Sequence, residues 1–363
     1  MQDVYYKNSG DYVQEVTESL DELFFKRNEN NETKLANYYD KLIEKYNNEI
    51  GQKALFEKAK LLLKQERFEE VLNLQKELER VPDRFEIKPE ELVYEAAKAL
   101  ALQQLQKDEC HTVVNLIETY KLQITEPEYE EKLFQCFMRV SRFDRAREIS
   151  TAHLKDSTLS NRYYWAQKEV QALFKMGKYP EALAFKEDLK TLSFSLRETI
   201  GLETIRDLFF SLVKLKNLEG AASLAEGIKI LYPNEASNLD IYYEIVKMAS
   251  DAKNDLLLVT YAEASLEMQK KFNSTALSPT LEFSYVDALK RLGRDEEALR
   301  IAESLLPQNL TPKDRIRLFY QAGELSLKLQ DTAKAKSYFT QCVAINDNSS
   351  WKNICQQNLD LMP

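Results

Sequence analysis

Apolar residues recur along nearly the whole chain at helical spacing. Between Asp11 and Arg27, Tyr12, Val16, Leu20, Leu23 and Phe24 form one helical stripe. After a polar turn at 28–31, a second run from Glu32 to Tyr46 presents Leu35, Tyr38, Tyr39, Leu42 and Ile43 on one face. The same arrangement then repeats. Leu55 to Lys64 lead into Gln65-Glu66-Arg67-Phe68, and Tyr163 to Lys175 lead into Met176-Gly177-Lys178-Tyr179-Pro180. The clearest version is Leu292-Gly293-Arg294-Asp295-Glu296-Glu297-Ala298-Leu299, where one helix stops and another starts on acids.

A small or β-branched residue follows each turn, at Val71, Val113, Ala146, Ala182, Ala221, Val259, Ala298 and Ala335. The successive differences between these numbers are 42, 33, 36, 39, 38, 39 and 37. Internal repetition at this period predicts a helical solenoid, because one helix pair cannot bury its apolar faces alone. The expected pairs are 11–48, 52–80, 91–122, 127–153, 161–192, 200–231, 239–270, 279–306 and 314–346, with a capping helix at 350–361. All are expected in one domain, 1–363. In the cap, Trp351, Ile354, Cys355 and Leu359 should lie inward.

Composition narrows the picture. Only 8 Gly and 9 Pro are present, so few turns are expected to demand positive φ and few helices to be broken. The net charge of −9 disfavours nucleic-acid backbone binding as the main activity. No apolar run approaches the length of a membrane span. No Walker-type loop, zincin motif or nucleophile elbow occurs, no cofactor is implied, and the two histidines, His111 and His153, stand apart. The chain is therefore expected to be non-catalytic and to hold no metal.

The pairs resemble tetratricopeptide repeats. Ala322-Gly323 matches that family's small pair in the first helix, Gly177-Lys178-Tyr179-Pro180-Glu181-Ala182 its turn, and Tyr232-Pro233-Asn234 its terminal proline. The resemblance implies an all-α, right-handed solenoid of about nine pairs in which the first helices line a concave surface. On that surface Leu63, Leu102, Leu105, Met138, Phe174, Phe210, Val213 and Met248 are expected to face a protein partner. Beside them run Lys64, Arg139, Lys175, Lys214, Arg291 and Lys328. An apolar strip flanked by cations suits an acidic amphipathic helix or extended segment. The paired Lys/Asn/Arg set of a carboxylate clamp is not found.

Four cysteines bear on compartment. If the last two helices run antiparallel about a turn near Asn348, Cys342 faces roughly residue 354, so a bond to Cys355 is geometrically reasonable. Cys110 and Cys136 lie about one helical turn out of register across a turn near Thr125. Buried reduced thiols are the other reading; either bond implies an oxidising compartment. Glu29-Asn30-Asn31-Glu32-Thr33 fits the acceptor of bacterial periplasmic N-glycosylation, at Asn31. Asn273, Asn309 and Asn348 open simpler matches without the acid.

The Asn, Lys and Tyr content, this acceptor, the cysteines and the ending Ser350-Trp351-Lys352-Asn353-Ile354-Cys355 together resemble the paralysed-flagellum family of epsilon-proteobacterial motors. That resemblance implies a C-terminal fragment in the periplasm. There it would bind another tetratricopeptide-type motor protein and support stator placement. The alternative is a cytoplasmic adaptor or chaperone-like regulator that captures peptide segments.

Overall fold

A computed structural model describes residues 31–81, 88–155, 158–346 and 350–362. The helix expected at Asp11–Arg27 lies outside these residues. Twenty α-helices are present among the described residues. The chain packs as two compact units, 1–149 and 150–363.

The first unit contains α1 (Glu32–Lys45), α2 (Glu49–Lys64), α3 (Phe68–Asn73), α4 (Gln75–Leu78), α5 (Pro89–Gln106), α6 (Cys110–Tyr120) and α7 (Pro127–Arg139). The division falls within α8 (Phe143–His153). The second unit continues with α9 (Leu159–Lys175), α10 (Tyr179–Ala184), α11 (Lys186–Leu196), α12 (Leu202–Lys214), α13 (Leu218–Leu231), α14 (Asn238–Asp251) and α15 (Asp255–Lys271). It ends with α16 (Thr280–Arg291), α17 (Asp295–Leu305), α18 (Pro312–Lys328), α19 (Thr332–Ala344) and α20 (Ser350–Asp360). The fold is an all-α solenoid of helix pairs with a trailing helix. Two second helices expected to be continuous are each broken, into α3–α4 at Leu74 and α10–α11 at Phe185. There the amide reaches back three residues, to Val71 and Ala182, which tightens one turn.

Eight first-to-second-helix turns among the described residues use the same device. Glu66, Asp108, Ser141, Gly177, Lys216, Lys253, Gly293 and Gln330 all have φ between 55° and 74°. The next amide in each case closes on a carbonyl five residues back: Arg67 on Leu62, Asn217 on Leu212, Arg294 on Leu289, Asp331 on Ser326. This is a Schellman closure, which satisfies the orphan carbonyls of the helix end. Glycine scarcity therefore does not limit left-handed turns here: six of the eight left-handed residues are not glycine. Asn217, Asn254 and Asp331 then cap the following helices, accepting from the amides of Gly220, Leu257 and Lys334.

Five residues beyond each left-handed position sits the close-packing residue. Val71, Val113, Ala146, Ala182, Ala221, Ala298 and Ala335 are all fully buried. In the pair 239–270 that place belongs to Leu258, also fully buried, so the alignment on Val259 is one residue late. The spacing of the left-handed residues is then 42, 33, 36, 39, 37, 40 and 37, by subtraction of their numbers. At the last pair, Gly323 lies against Phe339: a Cβ there would sit 2.6 Å from the ring.

Within the second unit each second helix packs on the first helix of the next pair, and α9, α12, α14 and α16 pack successively on one another. The first helices thus form the tighter, inner side. Successive second helices are also linked by long side chains. Tyr261 donates to Glu226 (3.0 Å) and Tyr338 to Glu303 (2.7 Å), at matching places in two repeats. Burial, reinforced by these carboxylate acceptors, raises both phenol pKa values.

Both disulfides are formed. Cys342–Cys355 has a Cα separation of 6.3 Å and ties α20 to α19. Cys110–Cys136 has a Cα separation of 4.8 Å. Its register differs from the expectation because α6 ends early. Lys121 is left-handed (φ 50°) and the Leu122 amide closes on Ile117, which moves the centre of the turn from Thr125 towards Gln123. A shift of two residues in the turn moves the pairing by four, which is about one helical turn.

Candidate functional site

The residues expected on the concave surface fall into two groups. In the first unit Leu63, Leu102 and Met138 are half-buried and Lys64 and Arg139 exposed, but Leu105 is fully buried and belongs to the core. In the second unit Phe174, Phe210, Val213 and Met248 are half-buried, and Lys175, Lys214, Arg291 and Lys328 are exposed. The apolar strip is therefore part groove and part packing.

The cations need a larger correction. Each ends a first helix, where its charge complements the helix dipole. Three reach back to the acid opening the preceding second helix: Lys64 to Glu32 (3.6 Å), Arg291 to Asp255 (2.7 Å) and Lys328 to Asp295 (3.4 Å). Arg139 occupies the same register, but the facing residue is Cys110, whose sulfur lies 3.9 Å from its guanidinium. The three ion pairs link neighbouring repeats, each exposed pair contributing about 0–1 kcal/mol. Tyr179 opens the helix preceding Lys214, so no acid waits there. Lys175 and Lys214 have no ion-pair partner among the described residues. The sequence shows the cations; only three-dimensional adjacency shows which are engaged.

Beside Lys175 lies Asp207, on α12. Burial pushes its pKa up to about 7, with Glu203 pushing the same way and Lys175 and Arg206 opposing. The Lys175 ammonium sits 5.8 Å from the Phe174 ring centre, and the Arg206 guanidinium 5.8 Å from that of Phe210. Aromatic rings and cations thus alternate on this face.

Two depressions open on the first helices. One, of about 330 Å³, lies between α9 and α12 and is lined by Tyr164, Gln167, Lys168 and Gln171. Gln167 accepts from the Gly201 amide at 2.8 Å, so its oxygen is already used. The other, of about 500 Å³, lies between α16, α18 and α20. Its floor is a network: Arg317 donates to Asp287 (2.8 Å) and lies 4.4 Å from the Phe283 ring, while Lys290 pairs with Glu324. Gln321 donates through Nε2 to Asp287 at 2.7 Å, but its Oε1 is buried without a hydrogen-bond partner. An unmade bond of this kind costs about 1–3 kcal/mol. Tyr320 and Trp351 form an aromatic wall, ring centres 4.8 Å apart. Neither depression was legible from the apolar strip. The signal available was Tyr164, Arg317 and Tyr320 recurring on the first helices at helical spacing from Gln171 and Glu324.

Among the described residues no group of three or more His, Cys, Asp or Glu is placed to hold a metal ion. None of their helices is long and apolar enough to cross a membrane.

The family model of the tetratricopeptide repeat matches part of α18, all of α19 and the residues after it. The match spans residues 316–349. That match contains the Gly323–Phe339 contact and the left-handed Gln330. No curated protein matches the chain. Among solved structures, it is similar to a tetratricopeptide repeat protein from Parabacteroides merdae, at 13% identity over 74% of this chain and 98% of that one, TM-score 0.36. It is also similar to the C-terminal part of a repeat protein from Cytophaga hutchinsonii, at 11% identity over 70% and 98%, TM-score 0.46. A third is YrrB, described as having an unusual peptide-binding site, at 17% identity over 59% and 97%, TM-score 0.39.

Proposed function

We propose that the chain is a non-catalytic interaction scaffold that captures an acidic segment of a partner protein on the first helices of its second unit. One observation carries this reading. Among the described residues, Lys175 and Lys214 end successive first helices without ion-pair partners, beside the half-buried Phe174 and Phe210, whereas Lys64, Arg291 and Lys328 in the same register are engaged. Half-buried aromatic side chains beside unpaired cations suit an acidic, aromatic-bearing segment.

The compartment is part of the proposal. All four cysteines are bonded, which supports an oxidising location such as the periplasm. Asn31 is exposed, its side-chain oxygen capping α1 by accepting from the Lys34 amide, which leaves the periplasmic glycosylation reading open to test. Service in the flagellar motor, bound to another repeat protein near the stators, rests on the sequence resemblance alone. The cytoplasmic peptide-capturing adaptor uses the same face and differs in requiring free thiols.

The test is recovery of partners from native cells with the wild-type chain and with Lys175→Glu plus Lys214→Glu. A specific partner should be lost with the variant while its helicity and melting are unchanged. A partner that binds both equally refutes the face. Thiol titration of the native-expressed, denatured chain should find no free thiol; four would refute the oxidising compartment.

A further inference from the structure

We infer that the Cys110–Cys136 bond is a redox-convertible joint, at which a dithiol reductant exchanges the covalent link between α6 and α7 for an ion pair between the Cys110 thiolate and Arg139. The register of the neighbouring joints carries this. At three joints among the described residues, the cation that ends a first helix pairs with the acid that opens the preceding second helix: Lys64 with Glu32, Arg291 with Asp255 and Lys328 with Asp295. Arg139 is the last residue of α7 and Cys110 the first of α6, so they stand in those same two places. The guanidinium Nη1 lies 3.9 Å from the Cys110 sulfur. A cysteine therefore replaces the carboxylate of the other joints, and its thiolate carries the charge that a carboxylate would supply.

The local field favours that thiolate. Cys110 opens an 11-residue helix with no acid in its first turn, so the amide dipoles present their positive ends to the sulfur. Asp108 and Glu109 precede it and His111 follows, but all three are exposed, where water and salt screen them. The second bond lacks these aids. Cys342 lies in the last turn of α19, whose carbonyl end opposes a negative charge, and its sulfur is 3.7 Å from the Ile316 carbonyl oxygen. Both of its cysteines are fully buried in an apolar cluster with Ile316, Phe319 and Phe339, which suits neutral thiols.

Reduction proceeds by two exchanges. A thiolate of the dithiol attacks Cys136 Sγ, the S–S bond breaks, and the Cys110 sulfur leaves as the thiolate that Arg139 holds. The second sulfur of the reductant, also as thiolate, attacks the mixed disulfide, and Cys136 leaves and takes a proton. The dithiol gives up two electrons and two protons and becomes a disulfide. The protein gains both electrons; Cys136 keeps one proton and water takes the other. Cys110 and Cys136 are 6% and 2% exposed, so the first attack needs local opening.

The test equilibrates the full oxidised chain with reduced and oxidised dithiothreitol at about pH 9, where an unassisted cysteine is largely ionised and the ion pair counts in full. Acid quenching, maleimide labelling and peptide mass spectrometry give the reduced fraction of each bond. Cys110–Cys136 should open at a lower ratio of reduced to oxidised reagent than Cys342–Cys355, with helicity unchanged by far-UV circular dichroism. Arg139→Ala should raise its midpoint ratio about 3- to 5-fold. Arg139→Lys should raise it less and Arg291→Ala not at all, and none of the three should move Cys342–Cys355. In the fully reduced chain, Cys110 should reach half its maximal rate of iodoacetamide alkylation at a lower pH than Cys136, and Arg139→Ala should narrow that gap. An unmoved midpoint in Arg139→Ala, a Cys110 profile no lower than that of Cys136, helicity lost as the bond opens, or Cys342–Cys355 opening first overturns the assignment. None of these outcomes bears on the face of Lys175 and Lys214.

Discussion

Six non-glycine residues hold a left-handed conformation at the turn between first and second helices, and that makes a quantitative prediction. An L-residue in that region costs about 1–2 kcal/mol through the Cβ–carbonyl clash. Glycine removes the clash but gains about 0.5–1 kcal/mol of conformational freedom in the unfolded chain. The difference predicts that Lys216→Gly and Lys253→Gly each stabilise the chain by about 0.5–1 kcal/mol. Both residues are exposed and neither has an ion-pair partner among the described residues, so little else changes on substitution. The reciprocal change is clean at Gly293, where φ is 73° and an added Cβ would meet nothing within 4 Å. Gly293→Ala should then destabilise through backbone strain alone, by about 1 kcal/mol. The double variant Lys216→Gly/Lys253→Gly should gain about 1–2 kcal/mol, since its sites share no partner. Urea unfolding of the oxidised chain, followed by far-UV circular dichroism, measures this as a change in midpoint at constant slope. A fall in midpoint for the glycine variants, or no change for Gly293→Ala, would refute the strain argument. Helix propensity outside the turn would then be the controlling term.

Gly323→Ala is expected to destabilise the last pair by about 1–3 kcal/mol, because the new methyl meets the fully buried Phe339 ring at 2.6 Å and a packed ring has nowhere to go; an unchanged urea midpoint would show that the pair has slack. Asp207 gives a pH dependence whose sign is fixed by its raised pKa. Between the ordinary carboxylate value of 3.8 and about 7, the folded chain holds a proton that the unfolded chain has lost, so this residue's contribution to stability falls as pH rises through that window. Asp207→Asn should therefore raise the melting temperature more at pH 8 than at pH 4, by at most about 4 kcal/mol in stability at the linkage constant of 1.36 kcal/mol per unit; equal effects at the two pH values would place the carboxylate in contact with water.

The helices, their pairing and their period were legible in the sequence because they depend on local quantities. Helical spacing of apolar residues and a small residue after each turn are visible without neighbours, and seven of the eight aligned residues proved to be the close-packed ones. The eighth slipped by one, to Leu258, because a large residue fills a place where a small one was sought. The left-handed turns do not show in the glycine content, since six of the eight are built on other residues. A Schellman closure supplies two hydrogen bonds that offset the strain, so Glu, Asp, Ser, Lys and Gln can all serve.

What one sequence could not settle was which side chains meet across repeats. Lys64, Arg291, Lys175 and Lys214 read alike along the chain, each ending a first helix. Whether a given cation is engaged depends on the residue about 29 to 36 positions earlier that packing brings opposite it. That residue is Glu32 for Lys64, Asp255 for Arg291 and Cys110 for Arg139. The wall of Tyr320 and Trp351 likewise exists only once α20 folds back onto α18 and α19. The sequence by itself determined the solenoid, because periodicity is a local property of the chain. Tertiary structure decided where ligand-binding chemistry is left over, because a side chain is free or spent only with respect to neighbours distant in sequence.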